Sequence, residues 1–189
     1  PGAYEVTNFA RWVVGFEVVD AEGRAVPWDK LDPDTWRIRP AAAGRITVRF
    51  RYLANKLDTS EAWTTGDLGF FNGTNLLMYP EGRSTDWAST LTVVTEAGWK
   101  VATGLESAGA PRTFRAASYH ELLDAPMMIG AFDLDSATVA GKPFRLATYP
   151  AGSLAGAARD TVWSALKRMV PPQAAVFGET PWAHYTLLQ

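Results

Sequence analysis

Cysteine is missing from this 189-residue chain, and histidine occurs only twice, at His120 and His184. The first absence excludes a disulfide framework, a thiolate metal site and a cysteine nucleophile. The second leaves no His-Glu-x-x-His and no carboxylate cluster at metal-ligand spacing around either imidazole. His120, beside Glu121, reads as a surface histidine, and His184, beside Tyr185, as a structural or interfacial one. No apolar run reaches the ~18 residues of a membrane span. The longest candidate, around residues 151–158, is interrupted by Gly152 and Gly156. A surplus of one charge sign is lacking too. Lys and Arg number 18 against 20 Asp and Glu, and the basic residues are scattered, which excludes the stripe of a nucleic-acid footprint. There is no Gly-x-Ser-x-Gly elbow to support a hydrolytic triad. No signal peptide is visible either. The opening Pro1-Gly2, without an initiator Met, reads as a trimmed or mature start, and bacterial cytoplasm and periplasm both stay open.

What is present suits a folded, β-rich chain. Hydrophobic residues make up 47% and charged residues 20%, enough for a core without staples. The 8 Trp, 9 Phe and 6 Tyr read as large fillers of a sandwich core, with a carbohydrate-stacking platform as the sharper alternative. In Arg45-Ile-Thr-Val-Arg-Phe-Arg-Tyr-Leu-Ala54, the residues Ile46, Val48, Phe50 and Tyr52 fall on one face. Thr47, Arg49 and Arg51 fall on the other, the alternation of a half-buried strand. Residues 11–19 repeat it with Trp12, Val14, Phe16 and Val18, followed by a turn at residues 21–24. Further strands are predicted at residues 35–39, 75–79, 89–95, 99–103, 112–116, 128–134 and 144–149. Such spacing argues for an antiparallel sandwich or barrel.

Two helices interrupt this. Ser118-Tyr-His-Glu121 has the spacing of a capping box, and Asp124-Ala-Pro126 ends the helix it opens. A longer one is predicted from about Leu154 to Val170, with Lys167 and Arg168 at its C-terminal dipole and Pro171-Pro172 as its stop. A last strand is expected within residues 182–189. The composition shift near Gly152 places a domain boundary near Pro150: residues 1–150 form the sandwich, and residues 151–189 open the next domain.

Two segments invite a site reading. Asp133-Leu-Asp135 puts two carboxylates on one strand face, too few oxygens for calcium. Residues 66–75 are glycine-rich but lack the Lys-Ser/Thr ending of a phosphate loop. Asn72-Gly73 reads there as a tight turn, and Asn72-Gly-Thr74 is also a glycosylation sequon.

Several segments in order carry a family resemblance. They are Pro1-Gly-Ala-Tyr4, Asn8-Phe-Ala-Arg11, Phe70-Phe-Asn-Gly-Thr-Asn-Leu-Leu77 and Trp99-Lys-Val-Ala-Thr103. They continue with Phe114-Arg-Ala-Ala-Ser-Tyr-His-Glu-Leu-Leu-Asp-Ala-Pro126, Gly141-Lys-Pro-Phe-Arg-Leu-Ala147 and Phe177-Gly-Glu-Thr-Pro-Trp-Ala-His-Tyr-Thr-Leu-Leu188. Together they resemble the amino-terminal region of the glycyl aminopeptidase family of zinc metallopeptidases, whose members usually carry a PDZ domain. Ser118 and His120 depart from the acids common at their positions.

The resemblance implies a mainly β chain: an antiparallel sandwich, then one helix and one strand that begin a thermolysin-like catalytic domain. It implies that the zinc helix and its general base follow the last strand, so that this segment holds no catalytic residue, no metal and no cofactor of its own. Zinc is then expected in the full-length parent, with hydrolysis of peptides from a free N-terminus. The segment would shape and gate the substrate cleft, with Phe71, Asn72 and Thr74 as cleft candidates. Its expected partners are the parent's catalytic domain and, through it, a peptide substrate. Self-association through residues 154–189 is a further expectation, since an uncovered helix and an open strand edge favour pairing. The alternative reading is a free-standing carbohydrate- or ligand-binding sandwich.

Overall fold

The structure, a computed structural model, describes residues 8–56 and 62–189; the Pro1-Gly-Ala-Tyr4 segment lies outside them. The chain divides into two compact units, Pro1–Trp63 and Thr64–Gln189.

In the first unit run β1 (Val13–Asp20), β2 (Trp28–Lys30), β3 (Trp36–Ile38) and β4 (Ile46–Tyr52). β1 pairs antiparallel with β4, Val18 opposite Val48. The alternation of β4 holds from Thr47 onwards: Val48, Phe50 and Tyr52 are half-buried while Thr47, Arg49 and Arg51 are exposed. β1 departs from its expected pattern. Its ladder slips between Val14 and Glu17, and Gly15 there takes a φ of +63°. The bulge shifts the chain by one residue, so Val14 turns out to solvent instead of joining Val18, which is buried. The expected turn at residues 21–24 forms because the Asp20 carboxylate accepts the Glu22 and Arg24 amides. The β2–β3 hairpin is clasped by Arg37 and Arg39 on Asp29, which hold that carboxyl below its usual range, Arg37 most strongly. Its aromatics serve this unit's own packing. Phe16 stacks on Trp36 at 5.0 Å and meets the edge of Trp28 at 4.8 Å.

The short β5 (Trp63–Thr64) straddles the boundary between the units, and in the second unit follow β6 (Leu68–Phe71), helix α1 (Gly73–Leu76), β7 (Ser89–Thr92), β8 (Lys100–Thr103), β9 (Glu106–Ser107), β10 (Thr113–Ala116), helix α2 (Tyr119–Leu123), β11 (Met127–Gly130), β12 (Asp133–Val139), β13 (Lys142–Thr148), helix α3 (Gly156–Phe177) and β14 (Tyr185–Leu188). They form three sheets, in the orders β5-β6-β11-β8, β7-β10-β9 and β12-β13-β14. The ladders are antiparallel apart from β13–β14, which is parallel. The fold is therefore mainly β with antiparallel sheets, as expected.

Apolar side chains of β10 and β7 meet those of β11 and β6 across one core cluster, with α2 supplying Tyr119 and Leu122. The Ser118 cap forms: its hydroxyl accepts the Glu121 amide at 3.2 Å. Glu121 reaches back one residue further than a regular capping box, to the Ala117 amide. The single strand predicted over residues 128–134 is two strands, split where Gly130 bends the chain.

Tyr119 is deeply buried in that core, and its hydroxyl donates to the Leu77 carbonyl at 2.6 Å. Burial, with a smaller push from Tyr79, raises its pKa to about 12. Below pH ~10, the free phenol value, folded and unfolded chains both keep the proton and the contribution is whole. Between that pH and about 12 the unfolded chain ionises first and binds fewer protons, so stability falls as pH rises. Thermal midpoints measured across this window are expected to drop, and Tyr119→Phe to flatten part of the drop. An identical slope in the variant would refute the assignment.

The long helix corrects the expectation most clearly. It does not stop at Pro171-Pro172 but runs through both to Phe177, ending at Gly178 with a left-handed φ of 75°. Lys167 and Arg168 are thus interior residues and do not complement the helix end. The prolines remove two main-chain donors, yet Ala174 and Ala175 beyond them are strong helix formers, and Gly178 offers the left-handed stop. The expected last strand exists as β14. It pairs with β13, Phe144 opposite Tyr185 and Leu146 opposite Leu187, and Thr186 Oγ1 donates to the Thr103 carbonyl at 2.9 Å. Residues 151–189 thus lie in one compact unit with residues 64–150.

Candidate functional site

The glycine-rich segment is not the loop that its composition suggests. Leu68–Phe71 is a strand, hydrogen-bonded to β11 with Phe71 opposite Met127. Asn72-Gly73 is a helix start instead of a tight turn, and the strand predicted over residues 75–79 gives way to α1. Asn72 is the N-cap: its Oδ1 accepts the Thr74 amide at 3.4 Å, while Asn75 Oδ1 accepts the Asn72 amide at 2.9 Å. This reciprocal pair is a capping box with Asn in the place of Glu. The spacing Asn72-x-x-Asn75 was the available signal.

Gly73 is the residue that sequence reading passed over. A Cβ there would stand 2.6 Å from the Leu122 carbonyl oxygen and 2.8 Å from Leu123 Cα. Only glycine lets α1 lie against the end of α2. The cleft candidates are thereby fixed: Phe71 packs on the core cluster, Asn72 is held by its cap, and Thr74 is exposed at the tip. An aromatic row lies close by, Tyr79–Tyr119 at 5.4 Å and Trp87–Tyr119 at 5.3 Å.

The remaining candidate groups are engaged elsewhere. His120 Nε2 lies 2.9 Å from Thr85 Oγ1 on the exposed side of α2. His184 Nδ1 lies 3.8 Å from Glu106. Asp133 accepts the Gly152 amide and Asp135 pairs with Arg159, so these two carboxylates tie the start of α3 to β12. Asp67 is hydrogen-bonded by Thr65 and by Tyr149, which hold its carboxyl below the usual range, Thr65 foremost. Among the described residues no group of three or more His, Cys, Asp or Glu could hold a metal ion, and no helix is long and apolar enough to cross a membrane. Five of the eight tryptophans are occupied by a neighbouring ring or cation: Trp12, Trp28, Trp36, Trp87 and Trp182.

A concave feature lies elsewhere in this unit. α3 leans across β13 and β14 and leaves a groove of about 580 Å³. Its lining is apolar apart from Gln173 and Glu179, with Leu166, Met169, Val170 and Phe177 facing Phe144, Trp182 and Tyr185.

Comparison with known proteins agrees with the fold. Residues 1–131 match the family model of the peptidase M61 N-terminal domain. The crystal structure of an aminopeptidase N family protein from Idiomarina loihiensis superposes with a TM-score of 0.87 at 26% identity, over 98% of this chain. The chain spans 32% of that protein's length. No curated protein matches the sequence.

Proposed function

The chain belongs to the peptidase M61 family, whose amino-terminal domain it carries, and on that premise we propose that it is the non-catalytic, cleft-shaping part of a zinc aminopeptidase. The observation that carries this is the match over 131 residues, joined to a likeness that spans the whole fold but only about a third of a longer aminopeptidase-like chain. The described residues do not fit a zinc ion: the two imidazoles are spent on Thr85 and beside Glu106, and no group of three or more His, Cys, Asp or Glu could hold one. Zinc, the general base and the bond-breaking step therefore fall to the catalytic domain that follows in the parent. This segment's part is to wall the cleft and to limit what enters it, so that a free N-terminus is read by shape.

Within the segment, the α1 turn is the best-prepared element for that role. It is rigid, since Gly73 locks it on α2 and two asparagines cap it, and it presents Asn72 and Thr74 at a strand end. Such a placed loop is where binding residues concentrate. The reading as a free-standing sugar-binding module draws less support, because most of the tryptophans are already packed against partners.

The product of the whole reading frame is expected to retain zinc on dialysis against a weak chelator and to cleave aminoacyl substrates, whereas this 189-residue segment does neither. Stoichiometric zinc on the segment alone would sink the reading. For the cleft candidates, Asn72→Ala and Phe71→Leu in the longer protein are expected to change kcat/KM by roughly tenfold or less, and unequally for short and long peptides. No change in kcat/KM, or the same fold-change for both lengths, would remove Phe71 and Asn72 from the cleft.

A further inference from the structure

We propose that Tyr79 is a specificity wall, the surface on which a ring-bearing side chain of a peptide substrate stacks; the inference rests on the reading above. Residues 77–85 form a strap over the first turn of α2. Tyr119 pins it twice: its hydroxyl donates to the Leu77 carbonyl at 2.6 Å and its amide to the Thr85 carbonyl at 2.9 Å. His120 Nε2 adds a third tie, 2.9 Å from Thr85 Oγ1. Between these pins residues 79–84 are all exposed. Tyr79 is the aromatic one among them. It is 58% exposed, yet its ring centroid stands 5.4 Å from that of Tyr119, tilted by 47°. One side of the ring thus leans on a buried neighbour, while much of the rest is open to solvent. Pro80 confines the Tyr79 backbone to the extended region, and Trp87 braces Tyr119 with centroids 5.3 Å apart. A large aromatic side chain that is exposed but already held still loses little freedom when it binds, which is what makes such rings anchors.

α2 sets the distance from this ring to the α1 turn. Gly73 lies against Leu122 and Leu123, and Tyr79 lies against Tyr119 at the opposite end of the same helix. At ~1.5 Å per residue those ends are about 6 Å apart. An extended peptide rises ~3.3 Å per residue and returns to the same side at every second one. A peptide whose main chain meets the α1 turn therefore brings the side chain two residues along over Tyr79. At the turn, Asn72 spends its Oδ1 on the cap, which leaves its amino group to donate, and Thr74 is exposed with its hydroxyl. An amide donor, a hydroxyl and an open aromatic ring suit an uncharged main chain that carries a ring-bearing residue. A sugar ring is the rival occupant.

The product of the whole reading frame tests this with trialanine and its variants that carry Phe at each position in turn. Phe at one position is expected to lower KM by about three- to tenfold. kcat should change little, since a stack already made in the ground state is uniform binding. Tyr79→Ala is expected to erase that preference, and Tyr79→Phe, which keeps the ring, to retain it. A preference that survives Tyr79→Ala overturns the proposal. So does a loss shared equally by trialanine and the Phe peptides, which is the mark of a merely structural ring. The same peptides are then titrated by calorimetry onto the longer protein after treatment with a chelator, where binding is read without cleavage. The preference is expected again in Kd and is expected to vanish in Tyr79→Ala; its absence from both KM and Kd overturns the proposal. Tighter binding of a soluble chito-oligosaccharide, lost in Tyr79→Ala, overturns it in favour of a sugar. The calorimetric arm keeps the two readings apart. A Tyr79-dependent preference in Kd without cleavage of any peptide would keep the stacking wall and remove the peptidase reading; cleavage without any preference would do the reverse.

Discussion

Gly130→Ala is expected to cost roughly 3–5 kcal/mol, adding backbone strain to a clash that the sheet cannot relieve. Gly130 ends β11, which lies between β6 and β8, and it pairs with Leu68 on one side and Lys100 on the other. Its φ is +152°. A Cβ there would stand 2.3 Å from the Asp67 carbonyl oxygen and 2.9 Å from Leu68 Cα. Both are backbone atoms in a paired strand or beside it, so neither can swing away as a side chain would. The same Asp67 oxygen accepts the Ala131 amide at 2.9 Å, and displacing it strands that donor. Against a total stability of ~5–15 kcal/mol, such a loss leaves a visible unfolded fraction. Gly141→Ala is the control. Its φ is +76° but nothing lies within 4 Å of the added methyl, so about 1 kcal/mol is expected, from strain alone. Urea unfolding followed by tryptophan fluorescence measures both. Equal shifts in midpoint at equal slopes would show that the close approach at Gly130 carries no cost.

Gly130 also shows where sequence reading reaches its limit. Alternation located β4 and most of β1, because burial on one face leaves its period in the side chains whatever the partner strand is. It did not reveal the slip at Gly15, which depends on the register against Arg51 and its neighbours. The run of residues 128–134 looks continuous in apolar content, and only the contact between Gly130 and the Asp67 carbonyl explains why it is two strands. For α3 the local rule was outweighed. Proline usually ends a helix, but the flanking residues, the alanines beyond and a glycine stop at Gly178 allow the chain to keep turning.

The candidate site was legible in part for a similar reason. Asn72 and Gly73 are a turn signature in isolation, and the hairpin reading used only those two residues. Asn75 carries the missing information, since a second amide three residues on closes the reciprocal cap. That Gly73 is required by the passage of α2 is a long-range fact, absent from any local window. The groove under α3 was foreshadowed better. The uncovered helix and strand edge expected within residues 154–189 include Leu166, Met169 and Trp182 of its lining, whereas Phe144, which floors the groove, reads in sequence as an ordinary strand residue.

Phe144→Ala is accordingly expected to act at two levels. The ring is 2% exposed, stacks on Tyr185 with centroids 5.2 Å apart at 25°, and lies opposite it in the parallel register. Truncating a buried Phe to Ala costs about 3–5 kcal/mol, of which the ring pair accounts for ~0.5–1.5 kcal/mol. For a chain of this size the melting midpoint should fall by about 6–20 °C. The local effect discriminates more sharply than the global one. β14 is laddered only to β13, so its seat combines one set of main-chain bonds with the Phe144–Tyr185 stack and the Thr186 contact to Thr103. With the stack removed, amides of residues 185–188 are expected to exchange well before the β12–β13 pair opens, while Phe144→Leu, which keeps most of the volume, should cost less than about 1.5 kcal/mol and hold the strand in place. If Phe144→Ala melts early but residues 185–188 keep their protection relative to β12, the main-chain ladder alone seats β14, and the ring's contribution belongs to the core rather than to the strand that borders the groove.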